Sequence, residues 1–280
     1  MKLIPLVFLF VVGAGCSAEE WKPLLNGKDF TGWETYLSKP ASAVEVEGLE
    51  KNSKGEYTEA LGVNRDPFHA FSYVQMDGEP VLRIAGEIPG GISTLDSFSN
   101  YHVRLQFKWG TLRKGQGTLR NTGLLYHAHG KHGDGNGRWL PSHQFQIQNG
   151  FCGDYVAMGD GAALINAKKA DEKHYVFDPG SAPITFSNQA PDPTRCGKMG
   201  NAEKAESEWN TVDLYCVGDQ AVHLINGVVV LRLTSRVRAN DGSLAPLESG
   251  RLQLQAEGWE VFYRHLEITP IKEIPSELLK

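Results

Sequence analysis

The sequence predicts an all-β protein, a sandwich of two antiparallel sheets. Three observations carry that expectation. Apolar and polar residues alternate with a period of two along several short runs, which places one face of each run against a core. Turn signals, drawn from a total of 31 glycines, separate those runs. No amphipathic helical stretch longer than about three turns interrupts them. Strands in this number need two packed sheets or a closed barrel, and no internal repeat of fixed period points to a propeller or a solenoid.

Residues 21–37 open the domain around an Asn26-Gly27 turn with apolar residues on both sides. Residues 38–72 are polar and irregular and are expected to form a long surface excursion. Val81 to Ile84 is a short strand, followed by a glycine-rich turn. The clearest strand is Tyr101 to Trp109, where Tyr101, Val103, Leu105, Phe107 and Trp109 share one face and His102, Arg104, Gln106 and Lys108 the other. Leu119 to His129 is next, then the loop Gly130 to Gly137, then a strand whose Gln144, Gln146 and Gln148 alternate with Phe145 and Ile147. Residues 156–205 show no clear period and are expected as long loops with short strands. Trp209 to Val217, Ala221 to Ile225 and Val228 to Leu233 follow, the last two joined by Asn226-Gly227 as a two-residue hairpin turn. Gly250 to Ala256 and Trp259 to Ile268 close the domain.

The chain has 280 residues, 41% hydrophobic and 22% charged, which is ordinary for a soluble globular protein. A net charge of −5 and a pI near 6.0 give no basis for a nucleic-acid or anionic-lipid partner. Lys2, the apolar run Ile4 to Val12 and the small residues Gly13 to Gly15 fit a signal peptide over residues 1–16, with one domain over 17–280. Small residues ending at Cys16 resemble a bacterial lipobox, which makes Cys16 a candidate lipid acceptor and the protein a secreted or cell-envelope one. Plain secretion with cleavage near Ala18 is the alternative. Cys152, Cys196 and Cys216 then remain, so one disulfide with one free thiol and three buried thiols are both allowed.

The row of glutamine amides can donate and accept hydrogen bonds, which suits a surface that holds sugar hydroxyls. Arg251, Gln253, Gln255 and Glu257 alternate with Leu252, Leu254 and Ala256, and the polar side of Tyr101 to Trp109 is similar. Side by side, such strands would give a sheet with a polar floor. His127 and His129 alternate about Ala128 and are expected to point the same way, a spacing that can chelate a divalent metal. Asp154 follows the glutamine strand and can serve as a general base, a metal ligand or a turn residue. Gly123 hints at a bulge or at close approach by another backbone. No serine-nucleophile elbow, phosphate loop or dinucleotide fingerprint is present.

Leu24 to Trp33, Asn121-Thr122-Gly123-Leu124-Leu125, Gln144 to Gln148 with Gly153-Asp154-Tyr155, and Gly250 to Glu257 with Val261 to Ile268 resemble, in order, the motifs of the 3-keto-disaccharide hydrolase family. The resemblance spans roughly residues 22–270. It implies a concanavalin A-like jelly roll and action on glycosides whose sugar is oxidised at C3. A C3 ketone acidifies the C2 hydrogen, so a base can remove it and the C1 substituent can leave by elimination, with hydration completing a net hydrolysis. The resemblance also implies acids at the positions of Gln144 and Asn149, and an amide cannot act as a base. The expected catalytic groups are therefore His127 or His143 as base, with Asp154 and Glu257 as orienting, metal-binding or alternative basic carboxylates. Asn121, Gln144, Gln146 and Arg251 are expected to contact hydroxyls. A non-catalytic, lectin-like carbohydrate-binding module on the same sandwich is the competing expectation, and a polar face that meets another protein is a third.

Overall fold

A computed structural model describes residues 20–114 and 118–280. The leader and Cys16 lie outside the described residues. Two sheets face each other. The front sheet runs, neighbour to neighbour, Gly62–Val63, Trp33–Leu37, Gly90–Thr94, Arg251–Ala256, Asn121–Ala128, Ser142–Gln148, Tyr155–Met158 and Arg195–Gly197, all antiparallel. The back sheet runs Phe71–Met76, Glu79–Ile84, Trp259–Pro270, Tyr101–Arg113, Asn210–Val217, Gln220–Ile225, Val228–Arg238, Gly161–Lys169 and Pro183–Ser187. Tyr175–Phe177 pairs with both Gly161–Lys169 and Arg195–Gly197 and joins the two sheets along one edge. The jelly-roll sandwich expected from the sequence is the architecture observed.

Alternation explains the core. Tyr101, Val103, Leu105 and Phe107 of the back sheet meet Leu124, Tyr126, Phe145, Ile147, Leu252 and Leu254 of the front sheet in one buried cluster. Each fully buried Leu, Ile or Phe there contributes about 1.5–3 kcal/mol of transfer free energy. The opposite face of Tyr101–Arg113 lies on the far side of the sandwich. There Asp213 accepts from His102 at 2.8 Å and from Arg104 at 2.9 Å, and Gln106 accepts from Arg264 at 2.8 Å. This strand therefore adds nothing to a floor shared with the glutamine strand. The other two polar-faced strands do share a sheet, with Asn121–Ala128 between them.

Two stretches hold more strand than their polar composition signals. Phe71–Met76 and Glu79–Ile84 form a hairpin through Asp77 and Gly78, whose φ values of 54° and 85° suit a tight turn, as do the 50° and 81° of Asn226 and Gly227. Gly161–Lys169 is a nine-residue strand inside the region expected to be loops. All three described cysteines are free and buried.

The excursion after Trp33–Leu37 is irregular, as expected, but it is pinned. The Tyr57 hydroxyl donates to the Val44 carbonyl at 2.6 Å and accepts from the Val46 N–H at 2.9 Å, and Val46, Tyr57 and Leu61 are buried in the core. This fixes residues 39–44, which form one wall of the cleft described below. Tyr57→Phe leaves the Val46 N–H without its acceptor and is expected to lower stability by about 1–3 kcal/mol in urea denaturation.

Candidate functional site

The outer face of the front sheet is polar but is not an open floor. Residues 130–141 fold back over it. Trp139 packs on Leu125 and Met158 and donates its indole N–H to the Gly90 carbonyl at 2.7 Å, while the Leu140 N–H donates to Gln253 Oε1 at 3.2 Å. His132 stacks on Tyr36 and bonds Glu34 at 2.9 Å. Beneath this cover Gln144 and Gln146 are only 2% and 4% exposed, and Gln253 and Gln255 are fully buried.

Buried amides lean on one another, and these bond in a directed chain that leaves Gln144 Oε1 and Gln255 Nε2 without a partner among the described residues. Gln144 Nε2 donates to Gln146 Oε1 and, at 3.0 Å, to Gln255 Oε1. Gln146 Nε2 donates to Asn121 Oδ1 at 3.0 Å, and Asn121 bonds in turn to the Glu257 carboxyl. Gly123 makes the crossing possible. A Cβ there would lie 2.5 Å from Gln255 Oε1 and 2.7 Å from Gln144 Nε2. The close approach is by two side chains from the flanking strands rather than by another backbone. Gly123→Ala is expected to separate Gln144 from Gln255 and to cost about 1–3 kcal/mol of stability, read by urea denaturation. A neutral result would mean that the amides re-pair at no cost.

The chain of amides ends at an open cleft of about 660 Å³, lined among others by Asn121, Gln148, Glu257, Arg138, Lys114 and Lys39. Burial is the largest influence on Glu257 and pushes its pKa up to about 7, against the opposing effects of the Arg138 charge and the Asn121 hydrogen bond. The residue keeps some exposure toward the cleft while its carboxyl is largely desolvated. Gln148 Oε1 accepts from the Arg195 guanidinium at 3.3 Å, which orients this amide at the cleft margin. No aromatic ring lines the cleft among the described residues.

The structure brings Asn121 and Glu257 together, with Gln144 and Gln146 behind them. Asp154 stands beside Gln146 but is 2% exposed and held by Arg195 at 2.7 Å and by the Lys198 N–H at 2.9 Å. Burial raises its pKa against the Arg195 charge. Arg251 points elsewhere, to Glu34 at 2.6 Å and the Thr94 carbonyl. The expected histidine base is not at this site. His143 lies on the Phe145 side of its strand, between the sheets, with Nδ1 3.1 Å from the Tyr155 hydroxyl. His127 has a φ of 50° at a register shift between its strand and Arg251–Ala256, and this bulge turns its ring inward to Tyr101 and His143. The same turn separates His127 from His129, which instead bonds Asp160 at 2.9 Å near the surface. The two imidazoles do not share a face, and no group of three or more His, Cys, Asp or Glu is placed to hold a metal ion among the described residues.

Beside Gln148 of the expected amide row, Arg138, Lys114 and Lys39 complete a site that spacing did not indicate. Arg138 belongs to the loop ahead of the glutamine strand, and its nearness to Glu257 depends on how that loop folds back. Sequence signals only that the loop is rich in glycine.

The sequence profile of 3-keto-alpha-glucoside-1,2-lyase-like domains matches residues 20–269. The chain belongs to this family. The family is thus one described by action on carbohydrate. Two solved structures from Parabacteroides distasonis ATCC 8503, each described as a candidate glycosyl hydrolase, are similar at 17% and 18% identity with TM-scores of 0.46 and 0.47. Both alignments cover 90% of this chain, with 94% and 100% of the other chains. The carbohydrate binding module CBM66 from Bacillus subtilis is similar at 8% identity and a TM-score of 0.41, over 71% of this chain and 91% of that one. No curated protein matches the sequence.

The buried histidines have a consequence for stability. Burial lowers the pKa of His127 and His223 to about 4 and that of His143 well below the ordinary 6.5. The folded state keeps them neutral where the unfolded chain takes up protons, so their contribution is present above pH 6.5 and is lost as pH falls toward about 4. The urea midpoint is expected to drop across this window. A midpoint that stays flat from pH 6.5 to 4 would contradict the burial of these rings.

Proposed function

We propose that the protein cleaves the glycosidic bond of 3-keto-sugars, with Glu257 as the general base. The observation that carries this reading is a desolvated carboxyl with a pKa of about 7, hydrogen-bonded to Asn121 and facing a cleft that also holds Arg138. A base with a pKa near the working pH combines a useful ionised fraction with strong proton affinity. Membership of a family named for 3-keto-alpha-glucoside-1,2-lyase-like domains supports the same chemistry.

In this mechanism the Glu257 carboxylate takes the C2 proton. The C–H electron pair becomes the C2–C3 π bond of an enolate, and the charge moves to the C3 oxygen, where Arg138 offers a compensating cation. The pair then returns to form C1=C2 as the C1–O bond breaks, the C3 ketone is restored, and the departing oxygen is protonated to an alcohol. Addition of water across C1=C2 turns this elimination into net hydrolysis. Asn121 and Gln148 offer amides to the ring hydroxyls, while Gln144 and Gln146 hold Asn121 in place from beneath. The leader sequence supports export to the cell envelope, with Cys16 as the lipid acceptor.

Turnover of a set of 3-keto-glucosides tests this reading. The rate is expected to rise about tenfold per pH unit below the Glu257 pKa and to level off above it. Glu257→Gln is expected to lower kcat by about 10²–10⁴-fold. The same substitution should steepen the acid-side loss of stability that the buried histidines cause, because it removes a group that opposes it. The raised pKa means that the folded wild type loses stability as pH climbs from the ordinary 4.5 through about 7. Addition of a chelator tests whether a divalent metal takes part. Saturable binding of these sugars without turnover by the wild type would favour a lectin-like module.

A further inference from the structure

The chain has a net charge of −5, yet its cleft presents three cations, Lys39, Lys114 and Arg138, against the carboxylates of Glu87 and Glu257. Lys114 holds Glu87 at 3.3 Å. Glu257, with a pKa of about 7, carries only part of a charge at neutral pH. Several half-buried arginines of this protein are matched by carboxylates: Arg83 by Glu260 at 2.7 Å, Arg195 by Asp154 at 2.7 Å and Arg264 by Glu79 at 2.6 Å. Lys39 and Arg138 are exposed and have no ion-pair partner among the described residues.

Both unmatched cations stand on fixed backbone. The Ser38 N–H donates to the Pro89 carbonyl at 2.8 Å, which ties the root of Lys39 to the front sheet. Arg138 precedes Trp139, whose ring lies 5.9 Å from the guanidinium and whose indole is anchored on Gly90. A cleft with one sign of charge in excess and low-dielectric walls focuses its field on what enters.

We propose that the cleft selects substrates bearing an oxyanion substituent, a carboxylate, sulfate or phosphate on the sugar or on its leaving group, with Lys39 as the principal contact. Lys114 and Arg138 add to the field. This inference rests on the assignment of the Glu257 cleft as the sugar site and adds the class of substrate it takes. A neutral 3-keto-glucoside would leave Lys39 solvated and unused. An anionic one would exchange counterions for a charge-assisted hydrogen bond.

Two matched pairs of compounds test it. One pair is the 4-carboxyphenyl and 4-carbamoylphenyl 3-keto-glucosides, with the charge on the leaving group. The other is a phenyl 3-keto-glucuronide and the phenyl 3-keto-glucoside, with the charge on the sugar. At a pH where Glu257 is ionised, kcat/KM is expected to favour the anionic member of at least one pair by about tenfold. That preference should shrink in about 0.5 M NaCl. Lys39→Met removes most of the preference and Lys39→Glu inverts it, each read as the ratio of kcat/KM within a pair. Calorimetric binding of the same compounds to Glu257→Gln reads the preference without chemistry. Tighter, Lys39-dependent binding of the anion with no turnover by the wild type would sustain anion selection and defeat Glu257 as a base. Equal kcat/KM and equal affinity within both pairs, or Lys39 variants that slow both members alike, would overturn the proposal.

Discussion

Gln144 and Gln255 come from strands on either side of Asn121–Ala128, and they meet only because Gly123 lies between them without a side chain. The rest of the site depends on that contact. Once the two amides are joined, Gln146 is held by Gln144, Asn121 by Gln146, and the Glu257 carboxyl by Asn121. An amide suits Gln146 and Asn121 because each accepts with one atom and donates with the other, so the chain can run beneath the 130–141 loop without a buried charge. A carboxylate at Gln144 would offer acceptors to two neighbours that also present oxygen. The neutral row leaves Glu257 as the ionisable group to which the chain leads.

The cover over that row changes the meaning of the polar face. An exposed row of glutamines would bind hydroxyls directly. Buried under Trp139 and Leu140, the inner glutamines act on the cleft by positioning Asn121 and Glu257, and substrate would meet only the end of the row. Burial raises the Glu257 pKa, and Arg138 of the same loop opposes the rise. The histidines illustrate the converse. Inside the sandwich His143 and His223 pair with Tyr155 and Tyr126, and their burial tunes stability rather than reactivity at the cleft.

The sandwich was legible in the sequence because a half-buried strand writes its geometry locally. Side chains alternate, and Tyr101, Val103, Leu105 and Phe107 can belong to one face whatever lies opposite. Asn226-Gly227 is equally local, since its turn needs two positive φ values in adjacent residues. Gly161–Lys169 escaped because Leu164, on the less buried face, is as apolar as Ala163 and Ile165 on the buried one, which hides the alternation in the sequence. His127 misled for a related reason. A bulge adds one residue and reverses the side to which the next side chain points, and its cause lies in the pairing with Arg251–Ala256 rather than in the neighbouring residues.

By itself the sequence determined the all-β class, the main strands, the family motifs and the residue types available for chemistry, all of which depend on near neighbours along the chain. Only the tertiary structure decided which of those residues share a site. It put the Tyr101–Arg113 polar face on the far side, sent both candidate basic histidines into the core, and set Arg138 near Glu257 across 119 positions of sequence. Sheet order and loop return are properties of contacts between distant segments, and burial, which raises one carboxyl to a working pKa, exists only once those contacts have formed.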